Sequence, residues 1–206
     1  MIYTIARFIL FLLFKTFYRI KVYGRENFPG TGPLIVASNH VSFFDPIIVG
    51  ISVSRNLNFL AKESLFRFKP FGRLLRSVNT MPIKREGGDI NAFRQALNIL
   101  AQGKALLIFP EGTRSKDENL QKPRHGIGFL EAKTGAGILP CYVKGSLGAL
   151  PRHKVFPKFK PISVYFGKLI KFDNKFSGDR KERYMYVAER VMRAIRELKE
   201  QADSRV

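Results

Sequence analysis

Cysteine and histidine are scarce in this sequence, and tryptophan is absent. One cysteine, Cys141, occurs among 206 residues, which excludes an intrachain disulfide framework and a thiolate-rich metal site. This cysteine content fits a reducing compartment. The three histidines are His40, His125 and His153. Because His125 and His153 have no nearby carboxylate at ligand spacing, we interpret both as surface residues and predict no metal site.

Acidic residues are also few, since 16 Asp and Glu stand against 36 Lys and Arg, leaving a net charge of +20. Such a charge attracts polyanions, and the candidates are nucleic acid, an anionic lipid leaflet or small phosphorylated substrates. A nucleic-acid-binding protein is expected to show aromatic residues interleaved with basic ones as a stacking platform. No such platform is evident, so we do not expect a nucleic-acid partner.

No apolar run is long enough to span a bilayer, which needs about 20 apolar residues. The longest run is residues 8–14, between Arg7 and Lys15. On a helical wheel Thr4, Arg7, Lys15 and Arg19 share one arc, with apolar side chains opposite. We predict that residues 1–21 form an amphipathic helix in the headgroup plane of an anionic membrane. A signal peptide or a core helix is the alternative, although no small-residue cleavage site follows the run.

No linker or repeat interrupts the rest of the chain, so residues 22–206 are expected to form one domain. Short apolar runs alternate with helical patterns, which predicts an α/β fold with a mixed, mostly parallel central sheet flanked by helices. Helices are expected after Asp89, ending at Gly103, and over about residues 180–201. The predicted strands are Leu34–Ala37, Asn58–Ala61, Ala105–Phe109, Ile138–Val143 and Ile162–Phe166.

A polar segment, residues 38–46, follows the first buried strand, at the strand end where open α/β sheets place their sites. His40 and Asp45 would be about 140° apart on a continuous helix. If His40 lies in a turn and a helix starts near Ser42, Asp45 can accept the Nδ1 proton and leave Nε2 as a base. The pair by itself is a weak signal, because this spacing also occurs by chance.

A second motif, Phe-Pro-Glu-Gly-Thr-Arg-Ser, occupies residues 109–115 after another buried strand. Gly112 permits a tight turn, and Arg114 offers a forked donor suited to phosphate. Glu111 is interpreted as holding substrate or orienting that arginine. The alternative for this segment alone is a β-turn with a surface ion pair.

Together these segments resemble the glycerolipid acyltransferase family, and within it the bacterial 1-acyl-sn-glycerol-3-phosphate (lysophosphatidic acid) acyltransferases. The resemblance runs from about Val22 to Phe166 and consists of four blocks in the family's order. These are Asn39-His40 with Asp45, Pro82-Ile83-Lys84-Arg85, residues 109–115, and residues 138–143. The first and third blocks are specific in combination, whereas Asn79 stands where a glycine is often found upstream of the second block.

The resemblance implies that His40 deprotonates a glycerol hydroxyl, which then attacks the carbonyl of an acyl thioester, while Asp45 stabilises the imidazolium. The thioester, of acyl-carrier-protein or coenzyme A, is a co-substrate, and no cofactor is implied. Lysophosphatidic acid is the implied acceptor and phosphatidic acid the product, at the cytoplasmic face of the cell membrane. The implied acceptor-binding residues are Arg85, Glu111, Gly112, Thr113 and Arg114, with Lys122 either extending the phosphate site or lying in an exposed basic loop.

Three alternatives stay open at this point, of which a basic nucleic-acid-binding protein is the most remote. A related acyltransferase could use another acceptor, such as glycerol 3-phosphate or a lyso-aminolipid. A non-catalytic lipid-surface protein could keep the fold, although retention of both His40 and Asp45 counts against it. Cys141 falls in a predicted buried strand and is interpreted as a packing residue rather than a nucleophile.

Overall fold

Seven strands in the described part of the chain form one sheet with helices on both faces. The computed structural model describes residues 2–83, 90–151, 154, 156–173, 176 and 178–205. The strands are Lys21–Tyr23 (β1), Leu34–Ser38 (β2), Leu57–Lys62 (β3), Thr80–Ile83 (β4), Ala105–Ile108 (β5), Gly137–Lys144 (β6) and Ser163–Phe166 (β7). The helices are Ile2–Phe17 (α1), Asp45–Ser52 (α2), Lys69–Ser77 (α3), Ile90–Ala101 (α4), Gly126–Thr134 (α5), Ser146–Ala149 (α6) and Arg180–Ser204 (α7).

The strand order is β1-β7-β6-β2-β5-β3-β4. Neighbours from β6 to β4 pair in parallel, whereas β7 is antiparallel to β6 and parallel to β1. The predicted mixed, mostly parallel sheet is therefore confirmed. Because β2 and β5 are adjacent and parallel, the polar segments that follow them emerge at the same edge of the sheet.

The five predicted strands are present with end shifts of one residue, whereas the two edge strands β1 and β4 were not predicted. Both edge strands are short and contain no fully apolar run. β4 includes Pro82, a residue that edge strands accept because one side of their backbone has no strand partner. Edge strands bury less side-chain surface, so they leave a weaker hydrophobic signature in the sequence.

Alternate side chains of the central strands enter two separate cores. Leu34 and Val36 of β2 pack on the face covered by α1 and α2, whereas Ile35 and Ala37 pack on the face covered by α4, α5 and α7. Strands buried on both faces are expected to be apolar throughout. This burial on both faces explains why the residues that follow Pro33 are continuously apolar.

The two interior helices lie close to their predicted positions. α4 ends at Ala101 and the chain turns at Gly103, whose φ is +68°, while the expected N-cap Asp89 lies outside the described residues. At the start of α4 the Ile90 side chain is 70% exposed, so it does not join the core. α7 starts with a capping box, in which Asp179 accepts the Glu182 N–H and Glu182 accepts the Asp179 N–H.

The N-terminal helix α1 is present as predicted. One residue of its expected basic face, Arg7, points toward the domain and donates to the carbonyls of Val53 and Ser54, just after α2. Tyr3 and Phe14 are buried against the domain. The outward face is therefore apolar, and its exposed members are Ile2, Ile5, Phe8, Ile9, Leu12, Leu13 and Phe17.

The contact between α5 and α7 depends on a glycine. A methyl group added at Gly128 would overlap the backbone of Tyr184 in α7. We predict that Gly128→Ala lowers the free energy of unfolding by about 1–3 kcal/mol, because neither helix can retreat without opening the core. Gly30→Ala is the matched control, since a Cβ there meets no atom within 4 Å. Urea denaturation measures both, and equal stability of the two variants would contradict this packing.

Candidate active site

His40 lies in the loop between β2 and α2, at the carboxyl edge of the sheet. Its Nδ1 is 2.9 Å from Oδ2 of Asp45, the first residue of α2. The Asp45 side chain is fully buried, whereas the His40 side chain keeps 15% of its surface exposed. The predicted proximity of the two groups is confirmed, and the chain reaches it by a turn over residues 39–44 before the helix begins.

Asp45 holds the whole loop as well as the imidazole. Its Oδ2 also accepts the backbone N–H groups of Val41 and Ser42, both at 2.7 Å. A carboxylate at the first turn of a helix is stabilised by the unpaired N–H groups there. With Nδ1 facing Asp45, Nε2 is the ring nitrogen available to a substrate proton.

The second motif, residues 109–115, is hydrogen-bonded to the backbone of His40. Glu111 is 2% exposed, and its Oε1 accepts the backbone N–H of His40 at 3.0 Å. Its Oε2 accepts the Ser115 hydroxyl at 2.9 Å and the Gln121 N–H at 3.0 Å. The Ser115 N–H in turn donates to the His40 carbonyl at 2.8 Å. Glu111 thus fixes the His40 backbone, which is a positioning role, and its expected contact with substrate stays a prediction.

The imidazole is also fixed by an aromatic ring. Phe109, directly after β5, stacks on His40 with a centroid distance of 3.8 Å and an interplanar angle of 12°. Together with the Nδ1 hydrogen bond, this stacking holds the ring plane in one orientation. A fixed ring is what a general base needs in order to meet a substrate proton in one direction.

Arg114 lies beside the His40 loop. Its guanidinium covers the Phe43 ring at 3.6 Å from the centroid, and Phe43 is itself half exposed. Arg114 therefore combines a cation–π contact with a position near His40. Gly112, with φ of +70°, makes the turn that precedes it. Thr113 is half-buried in the same turn.

Two predicted acceptor-binding residues are not placed against His40 by any described contact. Arg85 lies outside the described residues. Lys122 is exposed in the loop that precedes α5, which matches the exposed basic loop that the sequence left open for it. Their expected contacts with an acceptor stay predictions.

Asn39 and Ser42 attach the His40 loop to its neighbours in the fold. Neither residue was given a role from the sequence. The Asn39 amide donates to the Val143 carbonyl at 3.1 Å and accepts the Val143 N–H at 2.8 Å, so it pairs with β6 as a backbone unit would. The Ser42 hydroxyl donates to the Leu150 carbonyl at 2.7 Å. Their signal in the sequence was a polar cluster directly after a buried strand.

The side chains that could compete with a substrate as nucleophile are otherwise engaged. Cys141 is fully buried in β6, and desolvation, with the charge of Asp45 adding to it, raises the pKa of its thiol. Within the described hydrogen bonds, Asp45 is the side-chain partner of the His40 ring nitrogens and no hydroxyl or thiol takes that place.

His125 is the other histidine that the structure describes, and it has no metal-binding arrangement. His125 is exposed, with Nδ1 3.1 Å from the Met185 sulfur, and His153 lies outside the described residues. Over the described ranges, no group of three His, Cys, Asp or Glu side chains could hold a metal ion.

The fold and site define a class: an α/β domain that presents a histidine–carboxylate base at the carboxyl edge of its sheet. A family model described as Acyltransferase matches residues 19–144, more than half of the chain. The chain therefore belongs to this acyltransferase family.

Several proteins with similar sequences or structures are named as 1-acyl-sn-glycerol-3-phosphate acyltransferases. The 1-acyl-sn-glycerol-3-phosphate acyltransferase of Bacillus subtilis is 25% identical over 185 residues, covering 89% of this chain and 90% of that protein. The chloroplastic enzyme LPAT1 of Arabidopsis thaliana is 31% identical over 138 residues, covering 66% of this chain. This chain spans about two fifths of the length of the chloroplast relatives. The crystal structure of the 1-acyl-sn-glycerophosphate (LPA) acyltransferase PlsC from Thermotoga maritima superposes with a TM-score of 0.72 at 26% identity, covering 95% of this chain and 82% of that one.

The carboxylate of Glu111 accepts three donors, which gives a direct test of its positioning role. We predict that Glu111→Gln lowers the free energy of unfolding by about 1–3 kcal/mol, because the new amide group faces N–H and O–H donors. The exposed Glu118 provides the matched control as Glu118→Gln. Thermal and urea unfolding of both variants decide, and an unchanged stability of Glu111→Gln would rule out the described bonds.

Proposed function

We propose that this chain is a 1-acyl-sn-glycerol-3-phosphate acyltransferase that produces phosphatidic acid. The observation that carries the proposal is the buried Asp45 carboxylate bound to Nδ1 of a partly exposed His40, with the second motif locked around the His40 backbone. The activity in the names of the Bacillus subtilis and Thermotoga maritima relatives supports the choice of acceptor.

The proposed reaction begins with a proton transfer. Nε2 of His40 removes the proton from the sn-2 hydroxyl of the acceptor, and the oxygen attacks the thioester carbonyl carbon. Asp45 stabilises the imidazolium that forms. The tetrahedral intermediate then breaks its carbon–sulfur bond, and the thiolate of coenzyme A or acyl-carrier-protein leaves with the proton from His40. The acceptor hydroxyl thus takes the place of a serine nucleophile.

The acceptor phosphate is proposed to bind beside Arg114. Phe43 lies against the face of the Arg114 guanidinium, beside the His40 loop. A guanidinium binds phosphate through its N–H edge, in the plane of the group. Gly112 and Thr113 form the turn that carries Arg114. By the family pattern, Arg85 binds the same acceptor and Lys122 extends the basic surface around it.

The acceptor is a lipid, so the site is proposed to work at a membrane surface. Among the described residues, no helix is long and apolar enough to span a bilayer. The outward face of α1 instead presents seven large exposed apolar side chains. We infer that this face lies in the interfacial region of an anionic membrane, on its cytoplasmic side.

Loss of the base gives the first test of the proposed function. His40→Ala and Asp45→Asn are each expected to lower kcat by about 10²- to 10⁴-fold, because the first removes the proton acceptor and the second removes the charge that stabilises the imidazolium. Release of free thiol from an acyl thioester, with lysophosphatidic acid as acceptor, measures the rate.

Circular dichroism and vesicle sedimentation are the controls, and both are expected to match the wild type for His40→Ala. Glycerol 3-phosphate and a lyso-aminolipid, offered in place of lysophosphatidic acid, decide the acceptor class. Wild-type turnover in the His40→Ala variant would remove this residue from the mechanism.

Phosphate recognition by Arg114 gives the second test. Arg114→Lys keeps the charge but loses the fork, and we expect kcat/KM for lysophosphatidic acid to fall by about 10- to 100-fold. Monoacylglycerol, which lacks the phosphate, is expected to be used equally by variant and wild type. Arg193→Lys, on the exposed face of α7, is the matched substitution. An equal loss for both acceptors would assign Arg114 to loop structure instead.

A further inference from the structure

The segment at residues 156–160, between α6 and β7, exposes aromatic rings to solvent. Phe156 is 87% exposed and Phe159 is 68% exposed, the first being the most exposed of the large hydrophobic side chains in the described part of the chain. Lys158 and Lys160 alternate with them and are exposed as well. Aromatic rings carry a large free-energy cost in water, so this combination of rings and cations indicates a partner that is apolar inside and anionic at its surface.

This segment is joined to the outward face of α1. The Phe159 ring stacks on Phe17 with a centroid distance of 5.1 Å, and meets Tyr18 edge-on at 5.6 Å. Phe17 is one of the exposed residues on the apolar face of α1. The rings of the 156–160 segment therefore extend that face instead of forming a separate patch.

The same aromatic contacts reach the catalytic loop. Phe44, the residue before Asp45, packs edge-on against Phe14 at 5.3 Å and Tyr18 at 5.6 Å. On the other side, the Lys158 N–H donates to the Ala149 carbonyl at 2.7 Å, next to Leu150, which accepts the Ser42 hydroxyl. The extended apolar surface is thus fixed in position relative to the His40–Asp45 pair.

We propose that the 156–160 segment is a second membrane contact, which inserts Phe156 and Phe159 into an anionic phospholipid bilayer and places Lys158 and Lys160 at the lipid phosphates. The proposal rests on the proposed function in that both require the chain to work on a lipid surface. Together, α1 and the segment form one continuous contact that is wider than the helix alone. We infer that this wider contact fixes the tilt of the domain, and so the height of His40 above the headgroups.

A bilayer fits this surface better than an acidic carrier protein does. The exposed apolar face runs along the 16 residues of α1, about 24 Å at 1.5 Å per residue. The 156–160 segment continues this face at its C-terminal end. An extended apolar strip flanked by lysines matches acyl chains below anionic headgroups. An acidic carrier protein would instead require basic residues along the whole strip.

The absence of tryptophan provides a direct test of insertion. Phe156→Trp introduces a single tryptophan, whose emission can be excited apart from that of the tyrosines. Tyr186→Trp, half exposed on α7 on the other side of the sheet, is the control. With vesicles of phosphatidylcholine and phosphatidylglycerol, we expect a blue shift and quenching by brominated acyl chains for Phe156→Trp alone. Vesicle binding without that shift, or a shift produced by acyl-carrier-protein without lipid, would overturn the proposal.

The lysines are tested separately by charge removal. Lys158→Gln with Lys160→Gln is expected to weaken partitioning into these vesicles by about 30-fold, at roughly fivefold for each lysine near an anionic surface. Arg193→Gln with Arg196→Gln, on α7, removes the same charge from exposed positions and is expected to have little effect. Equal losses for the two pairs would contradict a localised contact.

The two proposals fail in different ways. Acyl transfer to lysophosphatidic acid dispersed in detergent tests the proposed function without a bilayer, and the lysine variant is expected to keep the wild-type rate there. Absence of transfer by the wild type, together with an insertion signal from Phe156→Trp, would contradict the proposed function and support the membrane contact. Transfer by the wild type without an insertion signal from Phe156→Trp would support the function and contradict the contact.

Discussion

The site depends on a single buried carboxylate. Asp45 Oδ2 accepts the His40 ring and two backbone N–H groups of the loop, so one oxygen sets both the direction of the imidazole and the shape of the turn that carries it. A second carboxylate, Glu111, fixes the His40 backbone from the neighbouring strand end. Because both acids are buried and bonded to donors, the loop cannot change shape without breaking several hydrogen bonds at once.

The sheet explains why two motifs 64 residues or more apart in the chain form one site. β2 and β5 are adjacent and parallel, so the segments that follow them meet at one edge. Asn39 then extends the pairing of β2 with β6 through its side-chain amide, which keeps the chain regular up to the residue before His40. The site is therefore a continuation of the sheet, and its precision derives from the sheet's rigidity.

A group of aromatic residues packs between the N-terminal helix α1 and the loop that carries His40. Rings of Phe14, Tyr18 and Phe44 pack together between α1 and the catalytic loop. In the proposed function, the acceptor's acyl chain remains in the membrane while its glycerol reaches His40. The active site must therefore lie close to the membrane surface, because withdrawing a whole acyl chain into water costs about 0.8 kcal/mol for each CH₂ group.

The sequence alone determined the α/β class, five of the strands, the His40–Asp45 pair and the importance of residues 109–115, because buried strands and polar strand ends leave local signatures. Tertiary structure alone decided the rest. It turned Arg7 of α1 inward to the end of α2, and it engaged both oxygens of Glu111 with protein donors. It also set Phe159 against Phe17. These outcomes depend on which distant groups meet, and a helical wheel or a motif contains no information about the partner across the core.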